Sequence, residues 1–157
     1  MPPLTLNLPD ASETVRLGLL LGAVLDIGDL VSLVGDYGAG KTTLTRGIAL
    51  GLGVDPATRV VSPTFVLLCI YRGRVPLFHY DLARLPKASE LYDLDWDTAS
   101  QGVVVVEWGD RADGFNGSDH LELQLAPTGG ARRAMLIPHG VRYQGIMEKM
   151  AEMAPAR

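Results

Sequence analysis

The segment Gly35-Asp36-Tyr37-Gly38-Ala39-Gly40-Lys41-Thr42 constrains this chain more than any other. It fits G-x-x-x-x-G-K-[ST], follows the short apolar run Leu30 to Val34 and opens the helical pattern Lys41 to Leu52. Strand, glycine loop and helix in that order build a concave nest. The glycines let successive backbone N–H groups face one side, and the helix N-terminus adds positive potential. Such a nest suits phosphate oxygens. In it Gly35 to Gly40 supply backbone and Lys41 reaches the β- and γ-phosphates, while Thr42 offers its hydroxyl to Mg²⁺ and Thr43 helps to hold the α-phosphate. The competing reading, a glycine-rich turn with an incidental Lys, lacks a reason for the flanking strand and helix.

The rest of the chain narrows the class. Its 157 residues suit one domain spanning 1–157 with its own core. The 14 basic and 18 acidic residues give a net charge of −4, and only Lys41, Lys87 and Lys149 are lysines, so bulk electrostatic binding of nucleic acid is disfavoured. The single cysteine, Cys69, has no partner in the chain, which suits a reducing compartment and a core-filling role. Leu17 to Leu25 is apolar but too short to span a bilayer, and its acidic flanks do not fit a secretory signal. The expected location is cytoplasmic, with no membrane association. No repeat or low-complexity block interrupts the chain.

The remaining elements follow from periodicity. Leu4 to Leu8 alternates as a strand, and Asp10 with Glu13 reads as a capping box opening a helix through Leu25. The Lys41 helix closes at Gly53 with Pro56 beyond. Phe65 to Tyr71, a turn at Arg72-Gly73 and Val75 to Asp81 read as an antiparallel hairpin. Val103 to Val106 has the pattern of a strand covered on both faces. Leu121 to Leu125 and Ala134 to Pro138 are weaker strands, and Val141 to Met153 is a terminal amphipathic helix with Met147, Met150 and Met153 as an apolar stripe.

Three further blocks carry chemistry. Glu107 ends the valine strand, where a phosphate-binding loop needs an acid for the metal or its water; the plain alternative is a solvated strand-end acid. Trp108 beside it is either packing or a docking residue. Alternation puts His79 and Asp81 on one strand face: Asp81 can orient a water, and His79 either supports Asp81 or is a satisfied core histidine. In Ser62-Pro63-Thr64-Phe65, Thr64 is placed to sense a γ-phosphate or to satisfy a local backbone group.

Together, Gly35-Asp36-x-Gly-Ala-Gly-Lys-Thr-Thr43, Ser62-Pro-Thr-Phe65, His79-x-Asp81-Leu82-x-Arg84-Leu85 and Glu107-Trp108 resemble the TsaE (YjeE) ATPases of bacterial tRNA threonylcarbamoyladenosine synthesis. The resemblance covers nearly the whole chain, with two departures: the family usually has Leu at Tyr37 and Tyr at Ala83. It implies an α/β P-loop NTPase fold with a central mixed β-sheet and flanking helices, ATP as nucleotide, and Mg²⁺ held by Thr42 and Glu107. It implies a part in modifying the adenosine next to the anticodon, with tRNA met only indirectly through docking on the TsaD and TsaB proteins, and hydrolysis that resets their complex. Lys41, Thr64, Asp81 and Glu107 become the catalytic candidates. The family also recruits the start of the first helix, here Asp10 to Thr14, and an Arg near the late strands to the nucleotide base; Arg132 matches, with Arg133 the alternative.

Part of this stands without the resemblance. Guanine reading by N/T-K-x-D needs a Lys with an Asp two residues on, and none of the three lysines has one. The segment Glu90 to Asp97 interleaves acids with aromatics, either a docking surface for a basic partner or a solvated helix turn. Arg72, Arg74, Arg84 and Arg111 are available as arginine fingers, none clearly placed, so isolated turnover is expected to be slow. A small P-loop kinase and a nucleotide-gated binding module with little catalysis are the other classes compatible with the motifs.

Overall fold

In the computed structural model, residues 2–36, 38–63, 68–82, 96–109 and 119–153 are described. Tyr37, Thr64, Ala83, Arg84, Arg111 and most of the Glu90 to Asp97 segment lie outside them, as does the Trp108 side chain. The described elements are β1 (Leu4–Leu8), α1 (Ala11–Val24), β2 (Leu30–Val34), α2 (Lys41–Gly51), β3 (Leu68–Tyr71), β4 (Leu77–Asp81), α3 (Trp96–Ala99), β5 (Val103–Gly109), β6 (His120–Thr128), β7 (Ala131–His139) and α4 (Val141–Met153).

All seven strands join one sheet in the order β1-β7-β6-β2-β5-β4-β3. The four central strands β6, β2, β5 and β4 are parallel; β7 and β3 run antiparallel to them, and β1 pairs antiparallel with β7 at the edge. Strands β2, β4 and β5 are short and mostly apolar because both faces are covered. Val31, Leu33, Val103, Val105, Leu121 and Leu123 pack into one core with residues of α1, α2 and α4, while Phe78, Tyr80, Leu82, Ala99, Val104 and Val106 form a second cluster on the opposite face. The mixed sheet with flanking helices is thus the one expected from the sequence.

Helices α1 and α2 run side by side in the same direction. A Cβ added at Gly18 would come within 3 Å of the Gly47 backbone, and one at Gly22 within 3 Å of the Gly51 backbone; the converse holds from α2. Four glycines therefore form a seam where the two backbones touch, and Gly18 and Gly22 pair with Gly47 and Gly51 at a constant offset. That pairing puts the start of α1 at the level of the Gly40 turn. The Leu17 to Leu25 run is the second half of α1 and its C-terminal cap Leu25, and no described helix is long and apolar enough to cross a membrane.

Several boundaries depart from the sequence expectation. Strands β6 and β7 are each nine residues long, running through Pro127 and Pro138, and meet at the two-residue turn Gly129-Gly130, where φ is 57° and 89°. Positive φ at both central residues matches the twist of a tight hairpin. The β3–β4 connection is longer than Arg72-Gly73, because the turn docks on the helix ends: the Arg74 N–H donates to the Leu52 carbonyl at 2.6 Å, and its guanidinium donates to the carbonyls of Gly22 and Leu25 at 3.2 and 2.8 Å. These carbonyls carry the negative ends of both helix dipoles. Arg74 is thereby removed from the arginine-finger candidates, and Arg72 shares its turn at the amino end of β4, away from Asp81. The methionine stripe is also shorter than expected: Met147 and Met150 are buried, but Met153 is exposed.

Helix α4 is fastened to the start of β2. Arg142 donates from Nε and Nη2 to the buried Asp29 carboxylate at 3.0 and 2.7 Å, and the Leu30 N–H donates to the Tyr143 hydroxyl at 2.8 Å. Burial pushes the Tyr143 phenol up from its ordinary value.

Candidate functional site

Parallel strands present their carboxyl ends at one sheet edge, and the described phosphate-loop and acid candidates gather there. Strand β2 leads into Gly35, and α2 begins after Gly40, which sits at φ 104°, in the left-handed region. The first turn of α2 has neither a side-chain cap nor an acidic residue. Its leading amide N–H groups therefore meet no acidic side chain of their own turn, and the helix dipole leaves that end positive. The loop is also tightly packed from below: a Cβ at Gly35 would stand 2.6 Å from the Leu125 carbonyl oxygen and 3.1 Å from the Ala39 Cβ. Only glycine lets the chain leave β2 at that angle.

Lys41 turns its ammonium back across the loop and donates to the Gly35 carbonyl at 2.6 Å. Its charge thus lies over the concave side of the loop. Thr42 and Thr43 follow in the first turn of α2, both half-buried. Asp36 and Gly38 are exposed at the rim and Ala39 is buried beneath it.

On the next two strands, the acids are set by register. Asp81 of β4 and Glu107 of β5 are direct cross-strand partners, and Leu33 of β2 flanks Glu107 on the other side. The β2–β5 pairing then skips one residue, so that Val34 aligns with Gly109. Such an irregularity bends the strand end beside the loop. Glu107 is only 2% exposed, and its Oε2 lies 2.6 Å from Nε2 of the fully buried His79. Of the two roles open to His79, supporting Asp81 or sitting as a satisfied core histidine, the fold gives a buried histidine bonded to Glu107 rather than to Asp81, because both lie on the sheet face shared with Val105 and lean toward each other between strands. The remaining ring nitrogen, Nδ1, has no hydrogen-bond partner among the described residues.

Asp81 is held by a residue that motif reasoning passed over. The Ser62 hydroxyl donates to Asp81 Oδ2 at 2.8 Å, so the first residue of the Ser62-Pro63-Thr64-Phe65 block meets the His-x-Asp block. The two motifs lie 19 residues apart and form one hydrogen-bonded unit. Their co-occurrence was the available signal, but alternation within a single strand does not reveal it.

The late strands complete the edge. Arg132 of β7 pairs with Leu8 of β1 and lays its side chain over Gly40, where an added Cβ would stand 2.7 Å from Nε. Arg133, one residue on, projects from the other face of the sheet and is exposed. Of the two arginines, Arg132 is the one beside the loop. Strand β1 ends at this point and feeds the start of α1, where the Asp10 carboxylate accepts from the Glu13 N–H at 3.0 Å and the Ser12 hydroxyl at 2.6 Å. The Ser12 hydroxyl and the Glu13 amide hold the Asp10 carboxyl below its ordinary value.

A glycine-rich strand–loop–helix unit, with a lysine over its concavity and two acids on neighbouring parallel strand ends, defines a mixed α/β protein of the P-loop class. The chain belongs to the TsaE family: the family model described as threonylcarbamoyl adenosine biosynthesis protein TsaE matches residues 8–135. It is 38% identical over 138 residues to the tRNA threonylcarbamoyladenosine biosynthesis protein TsaE of Nostoc sp. (strain PCC 7120), covering 83% of each chain. It is 37% identical over 142 residues to that of Bacillus subtilis (strain 168), covering 88% of each. The crystal structure of Bacillus subtilis YdiB superposes with a TM-score of 0.76 at 28% identity, covering 97% of this chain and 96% of that one.

Proposed function

We propose that this chain is the Mg²⁺-dependent ATPase of the machinery that places threonylcarbamoyl on the adenosine next to the anticodon, acting in the cytoplasm by docking on the TsaD and TsaB proteins and driving their turnover. What carries the reading is the convergence at one sheet edge of the Gly35 to Thr43 loop, Lys41, and the cross-strand pair Asp81 and Glu107.

In this reading the loop N–H groups and Lys41 hold the β- and γ-phosphates, Thr43 supports the α-phosphate, and Arg132 with the Asp10 to Thr14 segment flanks the base. The donor set suits a hard cation: the Thr42 hydroxyl and the Glu107 carboxylate are oxygen donors, and a ligating carboxylate works best when a neighbour fixes its orientation, as His79 does. Mg²⁺, when bound there, supplies charge neutralisation at the phosphate oxygens. Asp81, steadied by Ser62, orients the water for in-line attack on the γ-phosphate, and Thr64 senses that phosphate. Lys41 and the loop amides stabilise charge spread over the equatorial oxygens. With Arg74 committed to the helix ends, the protein brings no described arginine finger of the hairpin to the site, so the partners are expected to raise a slow intrinsic rate.

The test is capture of purified TsaD and TsaB with and without ATP, followed by phosphate release from the mixture. ATP-dependent capture and stimulated release support the reading, and release without any acceptor excludes a kinase. Capture indifferent to ATP, together with no phosphate release, overturns it.

A further inference from the structure

A second cluster of metal-ligating side chains lies far from the loop. His120 and Glu122 open β6, and His139 ends β7, so all three sit at the amino edge of the parallel strands, opposite the edge that carries Gly35. They also occupy the other face of the sheet. Leu121, Leu123 and Leu125 point into the core with α1 and α2, so the alternating His120, Glu122 and Gln124 point away from it.

The three side chains stand close enough to converge on one ion once the His120 and His139 rings, stacked at 18° to each other, turn out of that parallel arrangement. Residues two apart on a strand project from the same face, and a directly opposed residue on the neighbouring strand adds a third donor. His120 and His139 are such an opposed pair, with rings stacked at a centroid distance of 4.4 Å. Donor atoms from the three side chains all lie within 4.8 Å of one another, and His139 Nε2 is 3.1 Å from Glu122 Oε2. Bonds of about 2.0–2.1 Å to a tetrahedral ion separate neighbouring donors by roughly 3.3 Å, so this pair already stands at ligand spacing. Gln124 Nε2 donates to the other Glu122 oxygen at 2.7 Å, which orients the carboxylate as outer-sphere partners of metal ligands do. His120 is 9% exposed and the Glu122 side chain 14%, while the His139 side chain is 43% exposed and leaves a route for entry.

We propose that His120, Glu122 and His139 bind one divalent transition ion of the Zn²⁺ class, with a fourth position open to solvent, and so clamp the β6–β7 hairpin independently of the phosphate loop. Two imidazoles and a carboxylate favour such ions over Mg²⁺, so the two sites discriminate between metals. The site uses none of the groups assigned to ATP or Mg²⁺.

The experiment is calorimetric titration of Zn²⁺ into the chelator-treated, dialysed full-length protein in millimolar Mg²⁺, with and without ATP. Amide exchange of the hairpin and the visible spectrum of the Co²⁺ form are recorded beside it. The expected result is one equivalent bound with or without Mg·ATP, slower exchange across 120–139, and a tetrahedral Co²⁺ spectrum. Glu122→Gln and the exposed-site variant His139→Asn each weaken binding at least about tenfold. Melting curves of both variants without metal show whether they fold, and His139→Asn keeps the test open should Glu122→Gln unfold. Absence of Zn²⁺ binding, binding displaced by Mg·ATP, or binding unchanged in folded His139→Asn each overturns the proposal. None of these outcomes bears on whether the phosphate loop holds ATP.

Discussion

His79 and Glu107 form a buried pair, Nε2 to Oε2 at 2.6 Å, at the end of the sheet that carries the phosphate loop. The pair joins stability to chemistry, because the carboxylate has little water to fall back on. Replacing His79 with Ala should lower unfolding stability by roughly 2–4 kcal/mol, read by chemical denaturation. Glu107→Ala should retain ATP and lose phosphate release. Hydrolysis by Glu107→Ala at the parent rate, with partners present, rules out a metal or water role for that acid.

Lys41 offers a cleaner separation. Its ammonium rests on the Gly35 carbonyl and supports no other described element. Lys41→Ala should therefore stay within about 1 kcal/mol of the parent in unfolding experiments. On the proposed reading, the loss of charged hydrogen bonds to two phosphates, about 3 kcal/mol in sum, should weaken ATP binding roughly a hundredfold by calorimetry.

The glycine seam between α1 and α2 makes a third prediction. Alanine normally favours a helix over glycine by about 1 kcal/mol. Here Gly18→Ala or Gly47→Ala drives a methyl into backbone of the facing helix. Both variants should be destabilised by a net 1–3 kcal/mol or so. A melting temperature at or above the parent's in both would mean the helices part without cost.

Asp10 adds a pH dependence whose sign is set by its environment. Its carboxyl is held below the ordinary 3.8 by the Ser12 hydroxyl and the Glu13 amide. A group with a depressed folded value contributes stability above the unfolded value and loses it as pH falls through the folded value. Asp10→Ala should therefore melt below the parent at neutral pH, and the gap should close as the buffer is taken below pH ~3.8. A gap that stays constant to acid would assign the helix start to packing alone.

Local patterns were readable in the sequence, and partnerships across the fold were not. The phosphate loop, the valine strand β5 and the Asp10 cap were visible because each depends on contiguous residues and a fixed period. Strands β6 and β7 were underestimated mainly at the hairpin end, over residues 126–128 and 131–133, where the apolar alternation stops, although Gly129-Gly130 between them is a hairpin signal. The partner of His79 depends on how β4 and β5 are aligned, which alternation within one strand leaves open. Gly18, Gly22, Gly47 and Gly51 carry no apolar signal, so a seam built from missing side chains escapes any search for hydrophobic stripes. Arg132 was separable from Arg133 only once β7 was paired with β1 and its two faces were distinguished.

The pairing of β1 with β7 joins Leu4 to Leu136 and Leu8 to Arg132. On the ribosome the first strand therefore emerges long before its template, and the arginine that covers Gly40 is translated after almost every other part of the loop's surroundings. A nascent chain halted before β7 would carry the whole phosphate-loop motif without that cover, and its amino-terminal strand would be exposed to chaperones or to neighbouring chains.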